Sequence, residues 1–262
     1  MRILITGAGR AIGAATATEL PRAGHQVVAT ARDVSLLDAL DVDLRLPLDV
    51  TDDRSVAAAL EAAGELDAVV NNAAVSGKGP LEDYPLARLR AMYETNTIGP
   101  LRVVQGVAAG WRARGSGVIV NVSSIQGRVA TPLEGPYSSS KFALESLSET
   151  LRYELGHFGI RVVLVEPGYT GPGMKPVDDH PGDPAYAELW AQWRGTDAKV
   201  TGDGGRTPPE TVAAAVRAAI EDPATPLRVP VGVDSALVLG ARDAMDDDAF
   251  EAAMRQVTGM TW

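Results

Sequence analysis

Short apolar runs alternate with longer helical patterns along most of the 262 residues, and this alternation restricts the fold more than any other feature. Ile3-Leu4-Ile5 reads as a strand and 11–23, rich in Ala and Thr, as a helix. Val27 to Thr30 and the Leu44-Leu46-Leu48 run give a second and a third strand. An Ala-rich helix over 52–63 follows, with Thr51 or Asp52 as its N-cap. Leu66 to Val70 is a fourth strand and 86–112 a long helical pattern. Val118 to Val122, a helix over 137–156, Arg161 to Val165, a helix over 208–221 and Leu227 to Val231 complete the series. Strands separated by helices form βαβ units, so this α/β chain is expected to build a Rossmann-like, doubly wound parallel sheet of about seven strands, helices on both faces. Right-handed crossovers then place ligands at the carboxyl ends of the strands. No repeat or low-complexity linker appears, so 1–262 reads as one domain. The stretch 172–206 breaks the rhythm with Gly, Pro and Asp, and reads as a mobile loop closing over substrate.

Composition excludes several function classes. The formal net charge is −10, which argues against nucleic acid or an anionic membrane as the main partner. There is no cysteine, so disulfides, thiolate catalysis and cysteine metal sites are out. His25, His157 and His180 are scattered and show no metal-binding spacing, so no metal is expected. The N-terminus lacks the apolar core and small-residue cleavage site of a signal peptide. No run of about 18 apolar residues exists, so no membrane span is expected and the expected location is the cytoplasm.

Four motifs carry chemistry. Thr6-Gly7-Ala8-Gly9-Arg10-Ala11-Ile12-Gly13 joins the first strand to the first helix, where small residues let backbone approach a pyrophosphate and the helix end offers N–H donors. Asn71-Asn72-Ala73-Ala74 follows the fourth strand, and its amides can bridge neighbouring strands and loops, although such a pair also suits a plain turn. Tyr137 and Lys141 stand four residues apart on one helix face, where an ammonium near a phenol lowers the phenol pKa. Ser123 and Ser124 end the fifth strand; a hydroxyl there can bond a substrate carbonyl or cap a turn.

Taken in this order, the motifs resemble those of the short-chain dehydrogenase/reductase family, from Thr6 to about Gly168. Thr6 to Gly13 resembles its TGxxxGxG, with Ala11 in place of the middle glycine. Asn71 to Ala74 resembles NNAG, with Ala74 in place of the glycine, and Tyr137 to Lys141 is YxxxK. Ser124, thirteen residues before Tyr137, matches the family serine better than Ser123, and Asn96 matches the fourth member of the tetrad. Asp49-Val50 resembles the pair that contacts adenine, and Pro167-Gly168 the turn beside the nicotinamide. Pro172 stands where a threonine is usual, which passes the carboxamide contact to Thr170.

The resemblance implies hydride exchange between a nicotinamide cofactor and a ketone or aldehyde and its alcohol. Tyr137 serves as general acid/base, Lys141 lowers its pKa and holds the ribose, Ser124 polarises the carbonyl, and Asn96 holds a relay water. The cofactor contacts are Gly7, Gly9, Arg10, Ala11, Ile12, Gly13, Arg32, Asp49, Val50, Asn72, Ala73, Ala74, Pro167, Gly168 and Thr170, with Tyr137 and Lys141. Val75, Ile125, Gln126, Leu133, Tyr169 and Trp190 are expected to line the substrate pocket. NADP(H) is expected over NAD(H): Ala31 takes the strand-end position where NAD-preferring members carry an acid, and Arg32 and Arg10 are placed to grip a 2′-phosphate. Asp33 is the competing signal. A homodimer or homotetramer is implied. An epimerase or dehydratase of the same family and a non-catalytic nucleotide sensor are the alternatives.

Overall fold

Seven parallel strands form one sheet in the order β3-β2-β1-β4-β5-β6-β7. The computed structural model describes residues 1–172 and 179–262. Its elements run β1 (Arg2–Ile5), α1 (Ala11–Arg22), β2 (Gln26–Ala31), β3 (Leu44–Pro47), α2 (Asp53–Ala63), β4 (Ala68–Asn71), α3 (Leu86–Tyr93), α4 (Gly99–Arg114), β5 (Gly117–Val122), α5 (Gly135–Gly156) and β6 (Ile160–Pro167). Then come α6 (Ala187–Trp193), α7 (Thr196–Thr201), α8 (Pro209–Glu221), β7 (Arg228–Val231), α9 (Val233–Ala244) and α10 (Asp247–Thr258).

Alternation within each strand divides the core in two. Ile3, Ile5, Val27, Ala29, Val70, Val120 and Val163 face α1 and α8, packing on Leu20, Val216 and Ile220. Leu4, Val28, Val69, Ile119 and Val162 face the other way, onto Val56, Val103, Val104 and Trp111 of α2 and α4. Both faces are apolar because both are covered, which is why the strands read as continuous apolar runs. The strand order reverses between β1 and β4, and this opens a crevice at their carboxyl ends.

Local signals place the element boundaries. Asp52 caps α2 by accepting from Arg54 N and Ser55 N. The helical pattern over 86–112 is divided: a π-helical turn at Glu94–Ile98 separates α3 from α4. Such turns insert a residue into the helical ladder and recur at functional sites. The expectation of an irregular loop over 172–206 is corrected for its later part, which contains α6 and α7; residues 173–178 of that loop lie outside the described residues. Leu189 and Trp193 of α6 are buried against Leu133, so apolar packing orders this segment.

Ala11, the residue in place of the motif's middle glycine, opens α1 with φ of 44°. The left-handed region costs a residue with a Cβ roughly 1–2 kcal/mol, while glycine gives back about 0.4–1 kcal/mol through its looser unfolded chain. Ala11→Gly is therefore expected to raise the unfolding free energy by about 0.5–1 kcal/mol. Urea denaturation checks this as a higher midpoint at unchanged slope.

Candidate active site

The crevice is held together by one hydroxyl. Thr6 Oγ1, at the end of β1, accepts from Asn72 N at 3.0 Å and Ala73 N at 3.1 Å. Asn72 Nδ2 returns two bonds of 3.0 Å, to the carbonyls of Thr6 and Gly7. The turn after β4 is thereby fastened to the turn after β1. Asn71 reaches the other way and donates to Asn121 Oδ1 on β5 at 2.9 Å. The asparagine pair is a bridge rather than a plain turn.

Gly13 belongs to the same fastening: a Cβ there would stand 2.3 Å from Gly7 O and 2.5 Å from Asn72 Nδ2. At the helix end, Arg10 occupies the N-cap position of α1 and supplies no side-chain cap. The first-turn N–H groups, Ile12 among them, therefore lack the usual side-chain acceptor, and a pyrophosphate fits that role. Arg10 and Arg32 are exposed beside this turn. Asp33 turns its carboxylate back on its own chain, accepting from Ser35 N at 3.1 Å and Ser35 Oγ at 2.6 Å. These bonds and the nearby Arg10 hold its pKa below the usual carboxylate value. Asp49 likewise accepts from Thr51 N and Oγ1. The Val50 side chain is buried against Gly99 rather than presented at the surface.

The acid–base residues meet at the carboxyl end of β5. Ser124 Oγ accepts from Gln126 N at 3.1 Å, so it caps the short turn at Ile125–Gly127, and it also hydrogen-bonds the Tyr137 phenol. One hydroxyl thus does both of the things expected of it. Lys141 is 2% exposed and donates from Nζ to Val122 O at 2.8 Å. Its Nζ stands 5.8 Å from the centre of the Tyr137 ring, and two of its three N–H donors remain for other acceptors. Burial lowers the Lys141 pKa to about 8, against the pull of the Glu145 charge. Burial also raises Tyr137 well above the usual phenol value, and the Glu134 charge adds to this. With its pKa raised in this way, Tyr137 carries its proton at ordinary pH.

Asn96 lies in the π-helical turn and is fully buried. Its Oδ1 accepts from Val75 N at 2.8 Å, and its Nδ2 donates to Val75 O at 2.8 Å and Ser140 Oγ at 3.0 Å. Both amide donors are used on protein, so its side chain fixes Val75 and α5 and does not donate to a relay water.

Beyond β6, Gly168 sits against Asp234, whose carboxylate a Cβ at that position would strike at 2.1 Å. Asp234 Oδ2 accepts from Tyr169 N at 2.6 Å, so the first turn of α9 holds the turn after Pro167. Thr170 pairs with Thr207 in an isolated bridge. Burial, with Glu134, Asp197 and Asp234, pushes Tyr169 up to about 12.

The expected substrate residues divide. Val75 exchanges two hydrogen bonds with the Asn96 side chain, while Tyr169 is held by Asp234 and lies under the Arg206 guanidinium. Ile125 instead packs with Val238, Leu239 and Phe250, and Gln126 Oε1 accepts from Ser138. Leu133 packs on Leu189 and Trp193. Trp190 donates to Pro181 O and borders a cleft of about 460 Å³ with Asp179, Asp183 and Arg194, to which no tetrad residue contributes. Sequence reading missed Asp234 and the Lys78–Glu134 ion pair of 2.6 Å near Tyr137. No cluster suited to a metal occurs among the described residues, and no helix among them is long and apolar enough to cross a membrane.

Thr6→Val keeps the shape and removes the oxygen that two backbone N–H groups share. Asn72 N keeps Val70 O as an acceptor at 3.1 Å, so the loss falls on the half-buried Ala73 N, and the variant is expected to lose about 1–2 kcal/mol of stability. A thermal or urea melt checks this.

Comparison with known proteins agrees with this geometry. A family model described as short chain dehydrogenase matches residues 1–180. Retinol dehydrogenase 8 of Homo sapiens is 38% identical over 179 residues, which span 63% of this chain and 58% of that protein. A short-chain dehydrogenase from Streptomyces avermitilis superposes with a TM-score of 0.82 at 34% identity, covering 97% of this chain and 94% of that one. A short chain dehydrogenase from Burkholderia cenocepacia, solved in complex with NADP, gives 0.77 at 26% identity, covering 97% and 96%.

Proposed function

The chain belongs to the short-chain dehydrogenase/reductase family, and we propose that it reduces a ketone or aldehyde, or oxidises the matching alcohol, with NADP(H). The observation that carries this reading is the grouping of Ser124 with the Tyr137 phenol and of a buried Lys141 Nζ 5.8 Å from the Tyr137 ring centre. When bound, the nicotinamide supplies or accepts the hydride. The chain's own residues do the rest. Ser124 orients the carbonyl oxygen, and Tyr137, neutral at ordinary pH, gives that oxygen its proton. Lys141, protonated below about pH 8, holds positive charge behind the phenol and steadies it as it becomes anionic. Asn96 acts by fixing Val75 and Ser140, whose hydroxyl donates to the Tyr137 carbonyl.

Tyr137→Phe keeps the ring and removes the proton. Turnover is expected to fall by roughly two to four orders of magnitude with cofactor affinity unchanged, since general acid catalysis contributes about that much. A ketone panel followed at the reduced-nicotinamide absorbance, with cofactor binding measured separately, provides the check; near-normal turnover contradicts the assignment.

NADP(H) is favoured over NAD(H) by three residues. Ala31 ends β2 with no acid, and Arg32 is exposed and makes no ion pair among the described residues. Asp33 uses an oxygen on Ser35 instead of facing a ribose. Charge-assisted bonds contribute about 1.5–3 kcal/mol, so Arg32→Ala is expected to weaken NADPH by roughly ten- to a hundredfold and leave NADH little changed. The ratio of kcat/KM for the two cofactors, in wild type and variant, checks this. A homodimer or homotetramer belongs to the same reading; Phe142 and Tyr153 on α5 are 42% and 84% exposed. So does a cytoplasmic, single-domain protein.

A further inference from the structure

Lys141 is buried, and the one hydrogen bond described for it ends on a neutral carbonyl. A buried ammonium bonded only to a dipole tends to lose its proton, so an ammonium that keeps it needs a buried negative charge close by. One helical turn further along α5, on the same buried face, stands Glu145, 4% exposed. Its Oε2 is held by Arg228 of β7 at 2.9 Å. Arg228 also reaches Glu149 on α5 at 2.6 Å and Glu166 on β6 at 3.5 Å, the latter fully buried.

The polar atoms here are short of partners. Glu145 Oε1, both carboxylate oxygens of Glu166 and Ser123 Oγ are buried without a well-formed hydrogen bond among the described residues. The groups that face Glu145 are Ser123 at the end of β5, Arg128 just beyond it, Glu166 on β6, Arg228 on β7 and Asp243 on α9; Arg128 is neutralised by Asp243. Two cations remain, Lys141 and Arg228, against Glu145, Glu149 and Glu166. The charges balance when Glu166 carries a proton. Burial and the Glu145 charge raise Glu166 to about 7; burial raises Glu145 as well, but the Arg228 guanidinium bonded to it pulls the other way. A cleft of about 560 Å³ bordered by Glu145, Glu149 and Arg228 gives the cluster access to water.

We propose that Glu145 is a positioning residue for the acid–base pair: pinned by Arg228, its carboxylate is the counter-charge that keeps Lys141 protonated inside the protein, and Glu166 holds the cluster's exchangeable proton. The proposal deepens the reading of Tyr137 and Lys141 as the working pair, and rests on it. Removing the Glu145 charge lets Lys141 lose its proton at lower pH. The alkaline limb of carbonyl reduction then moves down with it.

The chain has four lysines, so ε-carbon-labelled lysine gives a countable NMR spectrum in which Lys141→Arg assigns the buried one. In wild type its titration midpoint is expected near 8. Glu145→Gln, equal in shape, is expected to lower the midpoint by at least about one unit, and to lower the alkaline limb of kcat/KM equally. Glu145→Asp, which keeps the charge and disturbs the packing, is expected to hold both nearly in place. Unmoved values in a folded Glu145→Gln protein, or an equal shift in Glu145→Asp, overturn the proposal. If Glu145→Gln does not fold, Glu145→Met, which removes the same charge and brings no amide to satisfy, takes its place, with the same downward shift expected and no shift overturning the proposal. The NMR titration needs no turnover, so its failure counts against Glu145 alone, whereas full turnover in Tyr137→Phe counts against the reading beneath it.

Discussion

A lysine ammonium enclosed at the carboxyl edge of a parallel sheet is the constraint around which this molecule is arranged. Burying such a charge costs several kcal/mol even after relaxation, so the surroundings have to supply acceptors and counter-charge. Val122 O supplies the first because β5 ends just beneath α5. The second is the role proposed for Glu145, which lies on α5 within reach of Arg228 of β7. The same enclosure raises the Tyr137 pKa and keeps its phenol protonated.

The rest of the crevice follows from a few fastenings between strand ends. Thr6, Asn72 and Gly13 join the first turn to the fourth strand, and Asn71 carries the connection on to β5 through Asn121. Asn96 joins the long α3–α4 rod to Val75 and to α5. The turn after β1, the turn after β4, Val75 and the helix that carries Tyr137 are therefore tied to one another by hydrogen bonds. This is the pre-organisation that hydride transfer demands, since small displacements of reacting atoms are costly.

What the sequence made legible follows from how local each signal is. Seven strands were readable because each is a short apolar run bounded by turn residues, and their observed limits differ from the expected ones by one or two positions. Caps and the YxxxK spacing are local too: the cap of α2 was narrowed to Thr51 or Asp52, of which Asp52 does the capping, and Tyr137 and Lys141 stood out as a pair on one helix. Helices α9 and α10 were passed over, although Asp246 caps the second of them by accepting from Ala249 N. The packing of Ile125 on these helices was for the same reason not legible. Glu145, Glu166 and Arg228 look in sequence like ordinary polar residues of helix and strand. Their burial depends on how β6, β7 and α5 meet, which no local pattern records. The i, i+4 spacing from Lys141 to Glu145 was the one available hint.

The account stands or falls on direct hydride transfer at this crevice. Reduced cofactor deuterated at C4, prepared separately in each of its two prochiral forms and supplied with a ketone that the enzyme turns over, tests it most directly. The account requires deuterium at the carbinol carbon of the alcohol from one form and none from the other, because a rigid crevice offers the carbonyl a single face of the nicotinamide. Alcohol without deuterium from either form, or no turnover of any carbonyl with NADPH or NADH, contradicts it.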